Sequence, residues 1–452
     1  MNVAALVGVL RARAELRSHD RWSRDVLLDY QARSLAELRR FAVARSPFYR
    51  ELHAGFVDAP LESLPVVTKQ MLMERFDDVV SDREIRLADV EAYLARPGAT
   101  ATDTFRDRYR VAATGGTTGR RGVFLSDPTE WRTSLASYSR AYDWAGVAAG
   151  LTHRLRMAVV SSRNPSHQSA IVGATVASRF VPTLRLDATQ PVEELVGTLN
   201  QFQPDALVGY ASLLRLLAQE QHAGRLSIRP KGVMSASEVL TDETRALIGS
   251  AFGVEPTNVY GATETAGIAS ECRHGRLHQY EDLVIAEIVG QDNRPVAPGE
   301  TGEKLLVTVL FSRTQPLIRY EMSDRVTALG GSCPDGLPYA LMGGIEGRQE
   351  EVLTLAGVAV HPNVFHRGLE GLNVAGWQVI DEGGRLRILL MRSTSSLDLD
   401  AAGRAVTSAL EGVGVRGIPV QMQVVDAIPR TALGKAPLIR LEPPRSPAGN
   451  LR

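Results

Sequence analysis

The chain has 452 residues and no net charge, with 51 basic residues against 51 acidic ones, and it is 44% hydrophobic and 23% charged. That composition excludes long disorder and offers no charge-based argument for nucleic acid or anionic lipid. Two cysteines, Cys272 and Cys333, exclude a disulfide scaffold, and no apolar run approaches the ~18 residues of a membrane helix.

The start, MNVAALVGVLRARAELR, has no basic residue ahead of its apolar stretch. It reads as an amphipathic helix rather than an export signal, so a cytoplasmic protein is expected. Helical spacing continues to about residue 56 through DVLLDYQARSLAELRRFAV. LESLPVVTKQMLMERF reads as a loop entering a helix, with Thr68 as its cap. From 110 the pattern alternates. RVAAT and VFLS read as short strands around a Gly/Thr turn, 129–145 as helix, and RMAVVSS as strand. Then come helix 191–202, strand ALVGY, helix 212–223, strand KGVMSAS, helix 241–252 and the strand TNVYGAT entering a loop. Such alternation predicts parallel sheets covered by helices.

From 281 the character changes. EDLVIAEIV, GEKLLVTVL, PLIRYEMSDRVTAL and PYALMGG read as strands joined by PVAPGETG-type turns, a β-rich subdomain. IEGRQEEV at 345–352 is polar and precedes a shorter pattern. That pattern is VLTLAGVAV, a helix at 362–370, a hairpin through Gly383-Gly384, a helix at 398–411 and PVQMQVVDAI. The predicted class is α/β: a large domain of helix-covered sheets with a β-rich subdomain over 1–348, then a small α+β domain over 349–440. The boundary is placed near 347–351, and 441–452 reads as a disordered tail.

Five segments suggest chemistry. Thr114-Gly115-Gly116-Thr117-Thr118-Gly119 lies between two strand-like segments, where backbone N–H groups and hydroxyls can converge on an anion. By itself it is equally a hairpin turn. Tyr260-Gly261-Ala262-Thr263-Glu264 ends a strand with a hydroxyl that can bond phosphate and a carboxylate that can hold Mg²⁺. It also reads as an ordinary strand-to-helix turn capped by Thr263. In Arg319-Tyr320-Glu321-Met322-Ser323-Asp324, Asp324 can accept two ribose hydroxyls, or the segment is a surface ion pair. Gly347-Arg348-Gln349-Glu350-Glu351 sits at the boundary, where a solvated linker is the plain alternative. Ile428-Pro429-Arg430-Thr431-Ala432-Leu433-Gly434-Lys435 can present a mobile ammonium, or is an exposed tail. Only four of the basic residues are lysines, Lys69, Lys231, Lys304 and Lys435, so each retained slim point charge stands out.

In this order and spacing the five resemble the adenylate-forming superfamily of acyl-CoA synthetases, peptide-synthetase adenylation domains and luciferases, over about residues 45–440. SPFYREL, LPVVTKQML and Glu271-Cys272-Arg273-His274-Gly275-Arg276-Leu277-His278 resemble its phenylacetate–CoA ligase and CapK-like group. The resemblance implies a large adenylation domain and a small, mobile C-terminal lid. It implies that Thr114, Gly116, Thr117, Thr118 and Gly119 wrap the β/γ-phosphates of ATP, and that Tyr260 and Gly261 lie against adenine, opposite Ser235, Ser237 and Glu238. Thr263 would touch the α-phosphate and Glu264 the Mg²⁺; Asp324 and Arg348 would meet the ribose. Glu350 falls at the hinge, and Lys435 would bridge the carboxylate and the α-phosphate. Three departures stand out: Arg120-Arg121-Gly122 after the phosphate loop, Glu-Glu at the hinge, and Ser237 where glycine is usual.

Cys272-x-His274 and Cys333-x-Asp335 are two close-spaced ligand pairs suited to a tetrahedral, structural Zn²⁺ site, with His278 in reserve; two free thiols are the alternative. The acyl pocket is expected around Arg163, His167 and Tyr210, with His167 equally a buried structural histidine. Arg163 and His167 point to a polar or acidic acid. The leading reading is activation of a small, aryl or specialised, carboxylic acid by ATP and transfer to the thiol of CoA. An amine (amide synthetase) or a carrier-protein thiol are alternative acceptors, and a non-catalytic acyl-adenylate-binding scaffold is the non-enzymatic alternative. No nucleic-acid or membrane partner is expected.

Overall fold

The computed structural model describes residues 3–114, 121–147, 154–348, 353–360, 362–369, 376–391, 397–430 and 436–442. Gly116, Thr117, Thr118, Gly119, Glu350, Lys435 and the segment after 442 lie outside the described residues. Two compact units emerge: Met1–Met322 with Val326–Gly344, and Ser323–Arg325 with Ile345–Arg452.

The first unit begins with helices Val3–His19, Arg24–Arg45 and Pro47–Leu52. The breaks are chemical. Ser46 N donates to Ala42 O (2.8 Å) and closes one helix; its hydroxyl accepts from Tyr49 N and opens the next, with Pro47 at the first position, where no N–H is required. Thr68 caps the helix Lys69–Glu74 as expected, accepting from Met71 N.

A ten-stranded sheet carries the unit. Strands Met157–Ser161, Thr183–Asp187, Ala206–Gly209, Gly232–Ala236 and Thr257–Ala262 run parallel, in the spatial order Thr257–Ala262, Gly232–Ala236, Ala206–Gly209, Met157–Ser161, Thr183–Asp187. Helices Val192–Phe202, Ala211–His222 and Asp242–Phe252 return the chain between them. Leu195, Leu199, Leu207, Leu214, Leu217, Val233 and Ile248 fill the layer between helices and sheet. The other half of the sheet is antiparallel, starting with Ala266–Glu271 and Leu277–Gln279. A three-stranded sheet, Val284–Val289, Lys304–Val309 and Tyr320–Met322, supplies the β-rich part.

The fold is thus mixed α/β, with elements that the sequence pattern did not announce, among them strands Leu277–Gln279 and Ile439–Leu441, helices Leu87–Ala95 and Gln168–Val176, edge strand Thr183–Asp187, and strand Ala266–Glu271. The last corrects an expectation. Thr263 does not cap a helix; the chain turns at Thr263–Thr265 and returns antiparallel, with Thr265 N donating to Ala262 O.

The second unit holds a four-stranded sheet in the order Val420–Val425, Leu386–Met391, Gly376–Asp381, Ile439–Leu441, with helices Pro362–Leu369 and Leu399–Gly412. The hairpin between its two central strands turns through Gly383 (φ 72°) and Gly384 (φ 120°), a backbone that side-chain-bearing residues avoid. Phe365, Leu369, Val379, Ile388, Val406 and Leu410 form its own core.

Candidate active site at the strand ends

Parallel strands all point the same way, so their C-terminal ends line one edge, where open α/β sheets bind ligands. The candidate residues of the first unit collect there. Strand Met157–Ser161 delivers the loop holding Arg163 and His167, Ala206–Gly209 delivers Tyr210, Gly232–Ala236 delivers Ser235, Ser237 and Glu238, and Thr257–Ala262 delivers Thr263 and Glu264.

The Tyr260–Glu264 segment is shaped by a register shift between Tyr260 and Gly261. A Cβ on Gly261 would lie 2.5 Å from Ala266 O, a backbone atom that cannot step aside, and Ala266 itself sits at φ 63°. Only glycine lets the two strands close up after the bulge. Gly261→Ala is therefore expected to cost about 1–3 kcal/mol in denaturant unfolding, as overpacking does, and to disturb the turn that carries Glu264. Thr263 and Glu264 line a small cavity together with Ala112, Trp131, Ser134 and Gln168. Tyr320 donates its hydroxyl to Glu264 Oε1 (3.4 Å), and Gln168 Nε2 donates to Tyr138 OH (3.0 Å). Burial, above all, and then the nearby Glu264 charge hold the Tyr138 phenol well above its ordinary range, so it stays protonated. Tyr138, Gln168 and Tyr320 were not singled out from sequence, although Tyr320 sits inside a quoted segment.

The phosphate-loop candidate joins strands Arg110–Ala113 and Val123–Ser126, which pair antiparallel. The hairpin alternative thus describes its frame. At its foot Thr114 Oγ1 accepts from Gly122 N (2.8 Å) and Thr114 N donates to Gly122 O (2.9 Å). Arg121 donates to Ser166 Oγ, and Ala113 N donates to Ser166 O (2.8 Å), so the Arg163–His167 loop is tied to this foot.

Other candidates have structural duties. Tyr210 is buried and accepts from Ser162 N (2.9 Å), pinning the start of the same loop. His167 is buried at the N-terminus of Gln168–Val176, with Nδ1 3.3 Å from Ser169 Oγ. Arg163 is exposed. Glu238 accepts from Ser212 N (2.9 Å) at the start of helix Ala211–His222. Ser235 is fully buried and its hydroxyl has no partner among the described residues. Ser237 sits at φ 68°, which explains why glycine suits that position. Asp324 heads strand Asp324–Ala328 and is buried; Arg348 ends strand Leu341–Arg348. The surface-ion-pair alternative for Arg319 does not describe it. Arg319 is buried, pairs with Glu287 (3.0 Å) and donates to Glu62 O and Leu64 O (both 2.7 Å).

A second cluster stands apart in the sequence from these. Cys272 Sγ and Cys333 Sγ lie 3.5 Å apart, and with His278 they offer ligand atoms all within 4.8 Å of one another. His278 Nε2 is buried without a partner among the described residues, while Nδ1 faces Tyr339 O (3.4 Å). Burial pushes the Cys272 thiol up to about 12. His274 is not brought into this group. It follows Cys272 in a tight turn, Gly275 N donating to Cys272 O, and its half-exposed ring faces Asp335 Oδ1 (3.2 Å). His278 enters instead because strand Leu277–Gln279 pairs with Ala266–Glu271 and turns it inward. Asp335 bonds to the Cys272 thiol and accepts from Arg273 Nε (2.5 Å).

This architecture is the fold of the adenylate-forming ligases. A solved 2-hydroxyisobutyryl-CoA ligase in complex with an acyl-AMP, 20% identical, aligns over 90% of this chain and 88% of its own, with a TM-score of 0.70. In sequence the chain is similar to proteins of the phenylacetate–CoA ligase and CapK kind. Phenylacetate–coenzyme A ligase from Thermus thermophilus is 30% identical over 178 residues, 38% of this chain and 40% of that protein. Protein CapK from Staphylococcus aureus is 23% identical over 315 residues, 66% of this chain and 63% of that protein. The matches therefore span less than two thirds of these relatives' lengths. No family model matches the chain. No described helix is long and apolar enough to cross a membrane.

Proposed function

We propose that the chain activates a small carboxylic acid with ATP, releasing pyrophosphate, and passes the acyl group from the acyl-adenylate to the thiol of CoA. The observation that carries this reading is the Thr263–Glu264 turn, held by the Gly261 bulge at the C-terminal edge of the parallel sheet, beside the cavity. Thr263 contacts the α-phosphate. Glu264, with two oxygen ligands, suits Mg²⁺, which when bound offsets phosphate charge. Thr114 and the residues to Gly119 hold the outer phosphates; Tyr260, Gly261, Ser235, Ser237 and Glu238 bracket adenine; Asp324 and Arg348 take the ribose. Residues 349–440 act as a lid hinged at Glu350 that brings in Lys435 and then withdraws it. Incubation with a panel of acids, ATP and Mg²⁺ should release pyrophosphate, and CoA should convert the product to a thioester visible by mass spectrometry. Release with no acid in a broad panel would remove the reading; a product only with amines would move it to amide synthesis.

The buried Cys272, Cys333 and His278 suit a structural Zn²⁺ with two thiols and an imidazole nitrogen that lacks a partner among the described residues; Asp335, outside that trio but bonded to the Cys272 thiol, is the proposed fourth, oxygen ligand. Purified protein should carry about one zinc per chain. Cys333→Ala should lose it and lower the melting temperature, whereas His274→Ala should keep it. Retention of zinc by Cys333→Ala would exclude this ligand set.

A further inference from the structure

Of the four lysines, two face carboxylates: Lys231 pairs with Asp205 (3.0 Å) and Lys304 with Glu321 (2.6 Å). Lys69 is placed differently, at the foot of the phosphate loop. A Cβ built on the buried Gly122 would lie 3.2 Å from Thr114 Oγ1, 3.3 Å from Lys69 Cδ and 2.9 Å from Phe124 Cε2. Hydroxyl, lysine stem and aromatic ring thus meet at one point, which only a residue without a side chain leaves open. The ammonium is two bonds beyond Cδ, about 2.5 Å, so it stays in the neighbourhood of the Thr114 hydroxyl.

The base of that stem is fixed by packing and pairing. Met73 Sδ accepts from Val123 N (3.3 Å), which ties helix Lys69–Glu74 to the hairpin strand. Val67 N donates to Arg319 O (3.0 Å) and Val67 O accepts from Glu321 N (2.9 Å). The chain entering the helix therefore runs beside Tyr320, whose hydroxyl reaches Glu264. The Phe124 ring stands edge-on to that of Tyr320 at 6.2 Å, and Phe124 and Glu264 line the same cavity. Lys69 and Thr114 are thus joined through Phe124 and Tyr320 to the turn that carries Glu264.

We propose that Lys69 binds the outer phosphates of ATP and stabilises pyrophosphate as it leaves, an inference that rests on the adenylation reading above. In that step a carboxylate oxygen bonds to the α-phosphorus, the bond from that phosphorus to the oxygen shared with the β-phosphate breaks, and the electron pair departs with pyrophosphate. Negative charge grows on the outer phosphates, where a cation held in place stabilises the transition state more than the bound nucleotide. Lysine fits the position: its slim stem passes over Gly122, where a guanidinium fork would need more room, and a point charge suits a departing phosphate.

Lys69→Met keeps the stem and drops the charge. It should lower kcat/KM for ATP about ten- to a hundredfold and weaken inhibition by added pyrophosphate by a similar factor, with the KM for the acid little changed. Acyl-adenylate carries no outer phosphates, so its conversion to thioester should be slowed far less. Lys69→Arg should restore part of the pyrophosphate inhibition. A binding arm runs without acid: pyrophosphate with Mg²⁺, and AMP, should each raise the melting temperature of wild type, and Lys69→Met should lose the first rise and keep the second. Equal loss with pyrophosphate and AMP, or in both half-reactions, would make Lys69 a packing residue and overturn the assignment, as would unchanged responses to ATP and pyrophosphate. A raised KM for the acid alone would move the ammonium to the carboxylate and equally overturn it. Stabilisation by pyrophosphate that depends on Lys69, in a protein that releases none with any acid, would keep the phosphate contact and sink the adenylation reading.

Discussion

Lys435→Ala is expected to slow acyl-adenylate formation by about 10²–10³-fold while leaving conversion of supplied acyl-adenylate to thioester mostly intact. The first half-reaction brings a carboxylate against a phosphate ester, two anions, and the charge grows as the bond forms. A positioned ammonium offsets that charge only in the step where it builds. The second half-reaction breaks the anhydride with a thiol and needs no such partner, so the loss should be one-sided. The chain's usage sharpens the point: arginine outnumbers lysine throughout, yet Gly434-Lys435 retains the slimmer, more flexible cation. Lys435→Arg should therefore recover only part of the rate. Pyrophosphate release and thioester formation from synthetic acyl-adenylate are measured separately, and an equal loss in both would remove Lys435 from its assigned role.

What could be read from the sequence follows a physical division. Strand and helix alternation, with chemistry-bearing residues at each strand end, was legible because parallel strands bring every C-terminus to one edge. The Gly383-Gly384 turn and the Thr68 cap were legible because local backbone rules decide them. Partner choice was not. Nothing local to Cys272 distinguishes His274 from His278; the strand pairing of Ser270 with His278 does. Tyr210 looked like a pocket hydroxyl, but its oxygen is engaged by the backbone of Ser162, forty-eight residues away in the chain. The edge strand Thr183–Asp187 has mostly half-buried residues and lacks the apolar run of its neighbours.

Arg140→Met is expected to destabilise the protein by about 3–5 kcal/mol, because it strands a buried carboxylate. Arg140 lies inside helix Pro128–Trp144 and donates to both oxygens of Asp282, Nη1 at 2.8 Å and Nη2 at 2.6 Å. His19 Nδ1 meets the same carboxylate at 2.7 Å, and the rings of Tyr280 and Tyr339 lie 4.9 and 5.0 Å from the guanidinium. The network joins the first helix, the long helix and the turn after Leu277–Gln279. Tyr138, two residues from Arg140 on the same helix, lies close to the Glu264 charge. Replacing both partners, Arg140→Met with Asp282→Leu, should cost less than the sum of the single changes, since the Asp282 charge is no longer left behind, although Asp20, 3.5 Å from Arg140 Nε, also loses a partner. Acid adds an independent readout. Burial alone would raise the Asp282 carboxyl, but the charge and hydrogen bonds of Arg140, with His19, outweigh it and hold the group down at about 2 against an ordinary 3.8. A depressed carboxyl contributes stability that is present above the unfolded value and lost as pH falls through the folded one. Denaturant midpoints of the wild type should therefore drop between about pH 4 and pH 2, and Asp282→Asn should flatten that drop. An Asp282→Asn variant with the full acid-induced loss would show that other carboxylates dominate it.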